Sequence, residues 1–142
     1  MKDKLERVRE WWLKAQSDMQ IAAHEMEWDQ PATDAVCFHF QQAVEKMLKA
    51  WLIWHDVDFP PTHNIEVLLA LCERIDATFA ELRPAEALTP YSVDIRYADD
   101  FYFPTKEETA EAADAGQRVQ SFILAKFAQV GVDPRKEGDG AL

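Results

Sequence analysis

The sequence predicts an all-α fold, an antiparallel, up-and-down four-helix bundle with an additional short helix. Apolar residues recur at steps of three and four in several long segments, which is the spacing of one face of a helix. Prolines and helix-capping residues stand between those segments. No segment gives a convincing strand pattern, and no internal repeat is present.

The first two helices are predicted from their apolar stripes. Pro31 interrupts the first stripe, because a proline disfavours helical geometry in the residue before it. The second helix begins near Asp34 and runs to about His55, where Pro60 and Pro61 follow. The stripes are Leu5, Val8, Trp12, Ala15, Met19, Ala22 and Met26 in the first helix, and Cys37, Phe40, Val44, Met47 and Trp51 in the second.

The third helix is predicted to start near Thr62 or His63. Its apolar stripe is Ile65, Leu68, Cys72, Ile75 and Phe79. Both cysteines lie on apolar stripes, which is typical of reduced, buried thiols, and their predicted separation of about two helical turns argues against a disulfide.

The last two helices are predicted from capping signals. Thr89 followed by Pro90 indicates the N-cap and first residue of a short fourth helix that runs to about Ala98, with Leu88 and Val93 as a hydrophobic staple. Thr105 and Glu108 form a capping box that opens a fifth helix. Within that helix, Gly116 is expected to permit close packing, and the remaining stripe is Ala112, Val119, Ile123 and Phe127.

Length and composition predict one domain, residues 1–130, followed by a flexible tail, residues 131–142, that is rich in glycine, proline and charge. Charges interrupt every apolar stretch, so no membrane span is expected, and the charged N-terminus lacks the pattern of a signal peptide. We therefore expect a cytoplasmic protein.

The net charge of −11 argues against non-specific binding of nucleic acid. Acidic residues interleave with the one concentration of basic residues, which favours a solvated helix face over a phosphate-binding arm. That concentration is Lys2, Lys4, Arg7, Arg9 and Lys14.

Three ordered segments resemble the HEPN family, the higher eukaryotes and prokaryotes nucleotide-binding domain. They are FHFQQAVEKMLKAWLI (38–53), THNIEVLLALC (62–72) and LTPYSVDIRYADD (88–100). The resemblance covers roughly Leu5 to Phe127. It implies a helical bundle, a two-fold homodimer and, often, a minimal nucleotidyltransferase encoded separately as partner.

The segment RYADDFYF (96–103) is the candidate ligand-binding stretch. Arg96 offers a planar donor fork for phosphate, while Tyr97 and Tyr102 offer faces on which a base can stack. The alternative is structural, with Arg96 paired to a neighbouring aspartate or capping a helix and the aromatic residues packed in the core.

The ribonuclease branch of the HEPN families places a histidine after its arginine, with four to six residues between the two. The corresponding positions here are Phe101, Tyr102 and Phe103, so the histidine is missing. A phenol with a reference pKa near 10 is a poor general base at neutral pH. The sequence therefore indicates no catalytic residue, and RNA cleavage is not expected.

A second polar stripe lies along the second helix: His39, Gln42, Lys46 and Lys49. His39 and Lys46 are candidate ligand contacts in a groove or at a partner subunit, and the alternative is that the stripe is solvated. The four histidines show no paired metal-ligand spacing, so neither a metal nor another cofactor is indicated.

Large aromatic and aliphatic residues outside the core stripes suggest a subunit interface, unless loops or the fourth helix cover them. They are Trp11, Phe38, Ile53 and Trp54. The favoured function is a homodimeric binding module with a nucleotide ligand and a nucleotidyltransferase partner. A ribonuclease toxin of a toxin–antitoxin pair with a degenerate motif, and a purely structural interaction domain, are the alternatives.

Overall fold

The computed structural model describes residues 2–92 and 102–135. Across these residues the chain is helical, without a strand, which confirms the predicted all-α bundle with one additional short element. The helices are α1 (Lys4–Met26), α2 (Thr33–Trp54), α3 (Ile65–Ile75), a 3₁₀-helical segment (Ala77–Tyr91) and α4 (Lys106–Gln129).

Helix α2 is the central element. Every one of its residues is buried or half-buried, and α1, α3, the 3₁₀ segment and α4 all pack against it. The apolar stripe predicted for α2 is entirely in the core. Trp51 is the centre of an aromatic cluster, with ring centroids 5.5 Å from Phe79 and 5.0 Å from Phe127.

Helix α4 approaches α2 closely at Gly116. A Cβ at this position would lie 2.9 Å from Cδ1 of Phe40, so the absence of a side chain is required for the packing. The predicted capping box is present: the Thr105 side chain accepts from the Glu108 amide, and the Glu108 side chain accepts from the Thr105 amide. Both predictions for this helix are confirmed.

The third helix begins later than the sequence suggests, because Asn64, and not Thr62 or His63, is its N-cap. The side chain of Asn64 accepts from the amide of Glu66, and the hydroxyl of Thr89 accepts from the amide of Ile65 at 3.2 Å. The helix ends at Ile75, before Phe79, because Asp76 leaves helical geometry and caps the next segment through the amide of Thr78.

The predicted start of a fourth helix at Thr89 is wrong. Thr89 and Pro90 lie near the end of the 3₁₀ segment, and Ser92 is its C-cap. The hydroxyl that suggested an N-cap for a new helix is instead bonded to the amide of Ile65 at the start of α3. The rest of the predicted helix, from Val93 to Ala98, lies outside the described residues.

Contacts within the subunit involve three of the four residues that suggested an interface. Ile53 is buried. Trp11 packs edge-on against Phe59 of the loop after α2, with ring centroids 6.5 Å apart, and the Lys4 ammonium lies 4.7 Å from the ring centroid of Trp54. Loop coverage, the alternative to an interface, therefore accounts for Trp11.

The chain after α4 turns back onto α1. The guanidinium of Arg9 donates to the carbonyl of Asp133 at 3.3 Å, and Pro134 is buried. The residues of the predicted tail up to Arg135 thus contact the bundle, while those beyond lie outside the described part of the chain. In the described residues, no helix has the length and apolar character needed to cross a membrane.

Candidate ligand-binding site

A seam of polar side chains runs along α2 where an apolar surface would be expected. We call it the polar seam and define it as His39, Gln41, Gln42, Glu45, Lys46 and Lys49 of α2, with Asp18 of α1 and His63 of the loop before α3. Gln41, Glu45, Lys49 and Asp18 are buried, and the remaining α2 members are half-buried.

Glu45 is the centre of one half of the seam. One carboxylate oxygen accepts from the Lys49 ammonium at 2.7 Å, and the other lies 3.1 Å from Nδ1 of His63. The side-chain amide of Gln41 also donates to Glu45 at 3.1 Å and to the carbonyl of His63 at 3.0 Å. These bonds fasten the loop before α3 to α2.

Asp18 is the centre of the other half. It is buried between α1 and α2, with one oxygen 2.6 Å from the Lys46 ammonium and the other 2.7 Å from Nδ1 of His39. Since a carboxylate only accepts hydrogen bonds, this contact assigns the ring proton to Nδ1 of His39. The His39 side chain is 24% exposed. Nε2, the second ring nitrogen, is the other atom of this ring that can accept a proton or a hydrogen bond.

Aromatic rings enclose the inner cation of the seam. The Lys49 ammonium lies 5.4 Å from the ring centroid of Trp11 and 5.5 Å from that of Phe59. A cation over such rings is stabilised by their quadrupoles, and the effect is larger when water is excluded. Lys49 is therefore part of the folded interior and not a solvated lysine.

The structure brings only some of the predicted site residues together. His39 and Lys46 share the carboxylate of Asp18. Lys49 is buried and Lys46 is only 22% exposed, so the solvated alternative for these two lysines is wrong. Arg96 and Tyr97 lie outside the described residues.

Tyr102 is exposed and donates its hydroxyl proton to Glu108 at the start of α4. This hydrogen bond raises the pKa of Tyr102 above its usual value. Because a raised pKa leaves less of the phenol ionised at neutral pH, Tyr102 is even less able to act as a general base there. Tyr102 can still offer its ring for stacking.

Four members of the seam escaped prediction as site residues: Asp18, Gln41, Glu45 and His63, the last of which was expected only near the start of the third helix. One signal was present for Glu45, because it stands four residues before Lys49, the spacing at which opposite charges pair on a helix. Asp18 adjoins Met19 in the heptad stripe, so the sequence allowed either a solvated or an inward-facing carboxylate.

Other side chains in the described chain do not offer a nucleophile or a metal site. Burial raises the pKa values of both Cys37 and Cys72, which are free thiols in the core. A buried thiol with a raised pKa is inert. Within residues 2–92 and 102–135, no group of three or more potential ligands is placed to hold a metal ion.

The fold and the seam together define a class: a helical bundle whose central helix buries a charge-paired polar site. The family model of the HEPN domain matches residues 8–126, and the chain belongs to this family. No curated protein and no solved structure matches the chain.

Proposed function

We propose that this HEPN protein is a homodimeric binding module that holds a nucleotide at the polar seam and acts as the partner of a separately encoded minimal nucleotidyltransferase. Membership of the HEPN family supports a nucleotide- or RNA-related helical module. The partner, the dimer and the particular ligand are the proposed part.

The observation that carries the proposal is the burial of paired charges along α2. Replacing a buried ion pair by well-packed apolar residues is often neutral or stabilising, so folding alone does not require such a pair. Here two ion pairs lie side by side along α2, Glu45–Lys49 within the helix and Lys46 with Asp18 of α1, and each carboxylate has a histidine on it. Such a concentration of retained polar groups favours a binding role.

The charges of the seam suit an anionic ligand better than the rest of this surface does. Each carboxylate of the seam is balanced by a lysine, whereas the chain as a whole carries −11. A phosphate that approaches Lys46 therefore meets a locally neutral site with an ammonium donor, and the Nε2 acceptor of His39 beside it suits a ribose hydroxyl. Arg96 and Tyr97 would add a guanidinium and a stacking face, as the sequence suggests.

The proposal is tested by calorimetric titration of the protein with ribonucleotides. Lys46→Met removes the ammonium donor, His39→Gln replaces the imidazole acceptor, and Arg96→Ala tests the sequence-derived contact. Lys46→Met and Arg96→Ala should each bind about ten- to a hundredfold more weakly, because a charged hydrogen bond to a ligand is typically worth about 1.5–3 kcal/mol. His39→Gln should bind up to about tenfold more weakly, because a neutral hydrogen bond is worth about 0.5–1.5 kcal/mol.

Lys106→Met is the matched control, because Lys106 is an exposed lysine in the first turn of α4. It should leave the affinity unchanged. If the parent binds none of the nucleotides, or if the seam variants bind as tightly as the parent, the proposal is wrong.

A ribonuclease is the second candidate, and one observation favours it. Asp18 orients His39 through Nδ1, which is the arrangement that positions a histidine for proton transfer at Nε2. His39 does not occupy the position of the family's motif histidine, so we expect no detectable cleavage of unstructured RNA at neutral pH. Cleavage by the pure parent that disappears in His39→Gln would replace the binding proposal with an enzyme.

The vestigial-site hypothesis has its own variant. Tyr102→His restores a histidine within the spacing of the ribonuclease motif. Activity that appears only in this variant, and that Arg96→Ala removes again, would show that the present chain descends from a nuclease and has kept the remainder of its site.

A further inference from the structure

A groove with an apolar floor lies between α4 and the 3₁₀ segment. We call it the α4 groove, and its volume is about 250 Å³. The lining residues of α4 extend from Glu108 to Val119, so the groove follows this helix for about 16 Å. The floor consists of the lining residues that are at most 3% exposed: Leu82, Ala85 and Leu88 of the 3₁₀ segment, with Ala112 and Val119 of α4.

The size and the floor of the α4 groove favour a protein side chain over a small molecule. Pockets that enclose a drug-sized ligand usually have about 300–1,000 Å³, which is more than this groove offers. None of the five floor residues has a polar side chain that could fix the orientation of such a ligand. One aliphatic or aromatic side chain of another protein needs no polar partner there, and anchors of this kind dominate many protein interfaces.

The rim of the α4 groove is acidic. Glu108, Glu111 and Asp114 line it, together with a single basic residue, Arg118. Glu108 belongs to the capping box, whereas Glu111 and Asp114 are exposed and have neither a hydrogen bond nor an ion pair within the described residues. The pKa of the Tyr91 phenol, which also lines the groove, is raised to about 12, first by burial and also by the Glu108 and Glu111 carboxylates. Two rim carboxylates are therefore available to a cation from outside the subunit.

We infer that the α4 groove is a docking site for a basic, amphipathic segment of another protein. An apolar side chain of that segment enters the groove, and lysines or arginines beside it meet Glu111 and Asp114. Charge complementarity of this kind steers association and selects the partner, while the buried anchor supplies affinity. The docking site is independent of the proposed nucleotide, because no residue of the polar seam lines the groove.

The test measures binding of a fluorescein-labelled peptide of about 18 residues, with leucines on one helical face and lysines on the other. Fluorescence anisotropy with the full chain in about 0.15 M salt should show saturable binding with a Kd below about 100 μM. The same peptide with glutamines in place of its leucines should bind at least about tenfold more weakly, because it has no apolar anchor. A peptide with glutamates in place of its lysines should not bind.

Charge variants of the protein separate the groove from general attraction to a chain that carries −11. Asp114→Lys should weaken binding roughly tenfold, since it replaces an attraction by a repulsion, and Arg118→Glu should tighten it by about threefold or more. Asp58→Lys is the matched control, because it makes the same exchange at an exposed position of the loop after α2, near Trp11. It should change the affinity by less than about twofold.

The contact itself can be located by nuclear magnetic resonance. Amide signals of Ala87 and Ala115, which line the groove, should shift during the titration, while that of Leu13 on α1 should not. The docking site is wrong if the leucine and lysine peptide does not bind saturably. It is equally wrong if the glutamate peptide binds as well, if Asp58→Lys weakens binding as much as Asp114→Lys, or if Ala87 and Ala115 do not respond.

Discussion

The polar seam and the solvent-facing side of α1 invert the usual distribution of residues. The seam places two carboxylates and two lysines beside the central helix, whereas α1 leaves Leu13 and Ile21 in water. The usual distribution is the opposite, with charges outside and aliphatic residues inside. The buried charges are more than folding requires, and for this reason we assign binding to the seam.

The largest expected effect is at the centre of the seam. Glu45→Ala should lower the free energy of unfolding by about 3–5 kcal/mol, because it leaves the buried Lys49 ammonium without its partner. Glu111→Ala, which removes an exposed carboxylate of α4, should change it by less than about 0.5 kcal/mol. Denaturant unfolding followed by circular dichroism measures both.

The double variant Glu45→Leu with Lys49→Met sharpens that result. Replacing a whole buried pair by apolar residues of similar size should restore stability to at least about that of the parent. If the double variant is as unstable as Glu45→Ala, the ion pair is needed for folding. Its burial would then no longer favour a binding role for the polar seam.

The second effect is expected at Asp18. Asp18→Asn keeps the shape of the side chain but removes the charge that holds Lys46 and His39. We expect a loss of about 1–3 kcal/mol, since a buried charged group is left with a weaker partner. An unchanged midpoint of urea unfolding would mean that Asp18 is solvated and that this half of the seam does not form.

The third effect is expected at His55, a histidine that is not part of the polar seam. His55, just after the end of α2, packs against Trp51 with the ring centroids 4.3 Å apart and the planes tilted by 59°, and its buried Nε2 has no hydrogen-bond partner among the described residues. Burial lowers the pKa of His55, and Lys4 lowers it further, although Asp56 and Asp76 act in the opposite direction. The folded protein therefore resists protonation that the unfolded chain accepts.

The free energy of unfolding is therefore expected to decrease as the pH is lowered. As the pH falls below the unfolded pKa of about 6.5, the unfolded state gains a proton first and stability decreases, by at most about 1.4 kcal/mol per pH unit for one histidine. His55→Phe keeps the ring on Trp51 without a titrating group. The difference in unfolding free energy between parent and variant should thus change between pH 7 and pH 5, and a constant difference would show that His55 takes up its proton equally in the folded and unfolded states.

The smallest effect is expected at Leu13, on the solvent-facing side of α1. Leu13→Gln replaces a side chain that is 70% exposed, so the stability of a single subunit should change by less than about 0.5 kcal/mol. Under dilute conditions where the chain is monomeric, a loss well above this value would show that Leu13 packs within its own subunit.

The sequence allowed the fold to be predicted better than the site. Regular stripes such as that of Phe40 and Trp51 define helix faces directly, and local capping signals such as Thr105 with Glu108 define helix starts. The helix start predicted at Thr89 is wrong because the Thr89 hydroxyl accepts from the first amide of α3, a helix that begins 24 residues earlier in the chain. A capping residue read locally does not reveal which helix it caps.

The site was predicted only in part, because its partners come from different elements. His39 and Lys46 were recognised from their spacing on one helix, but the carboxylate that joins them belongs to α1. The burial of Lys49 depends on Trp11 and on Phe59 of a loop. Contacts between distant segments have no periodic signature in the sequence.

The bond from the Ile65 amide to the Thr89 hydroxyl has a consequence for local opening motions. This amide belongs to the first turn of α3, where no carbonyl of the same helix can accept it. Its exchange with deuterium is therefore governed by how often the 3₁₀ segment lifts away from α3. The exchange rate of this single amide therefore measures how often the chain region that leads into residues 93–101 detaches from α3.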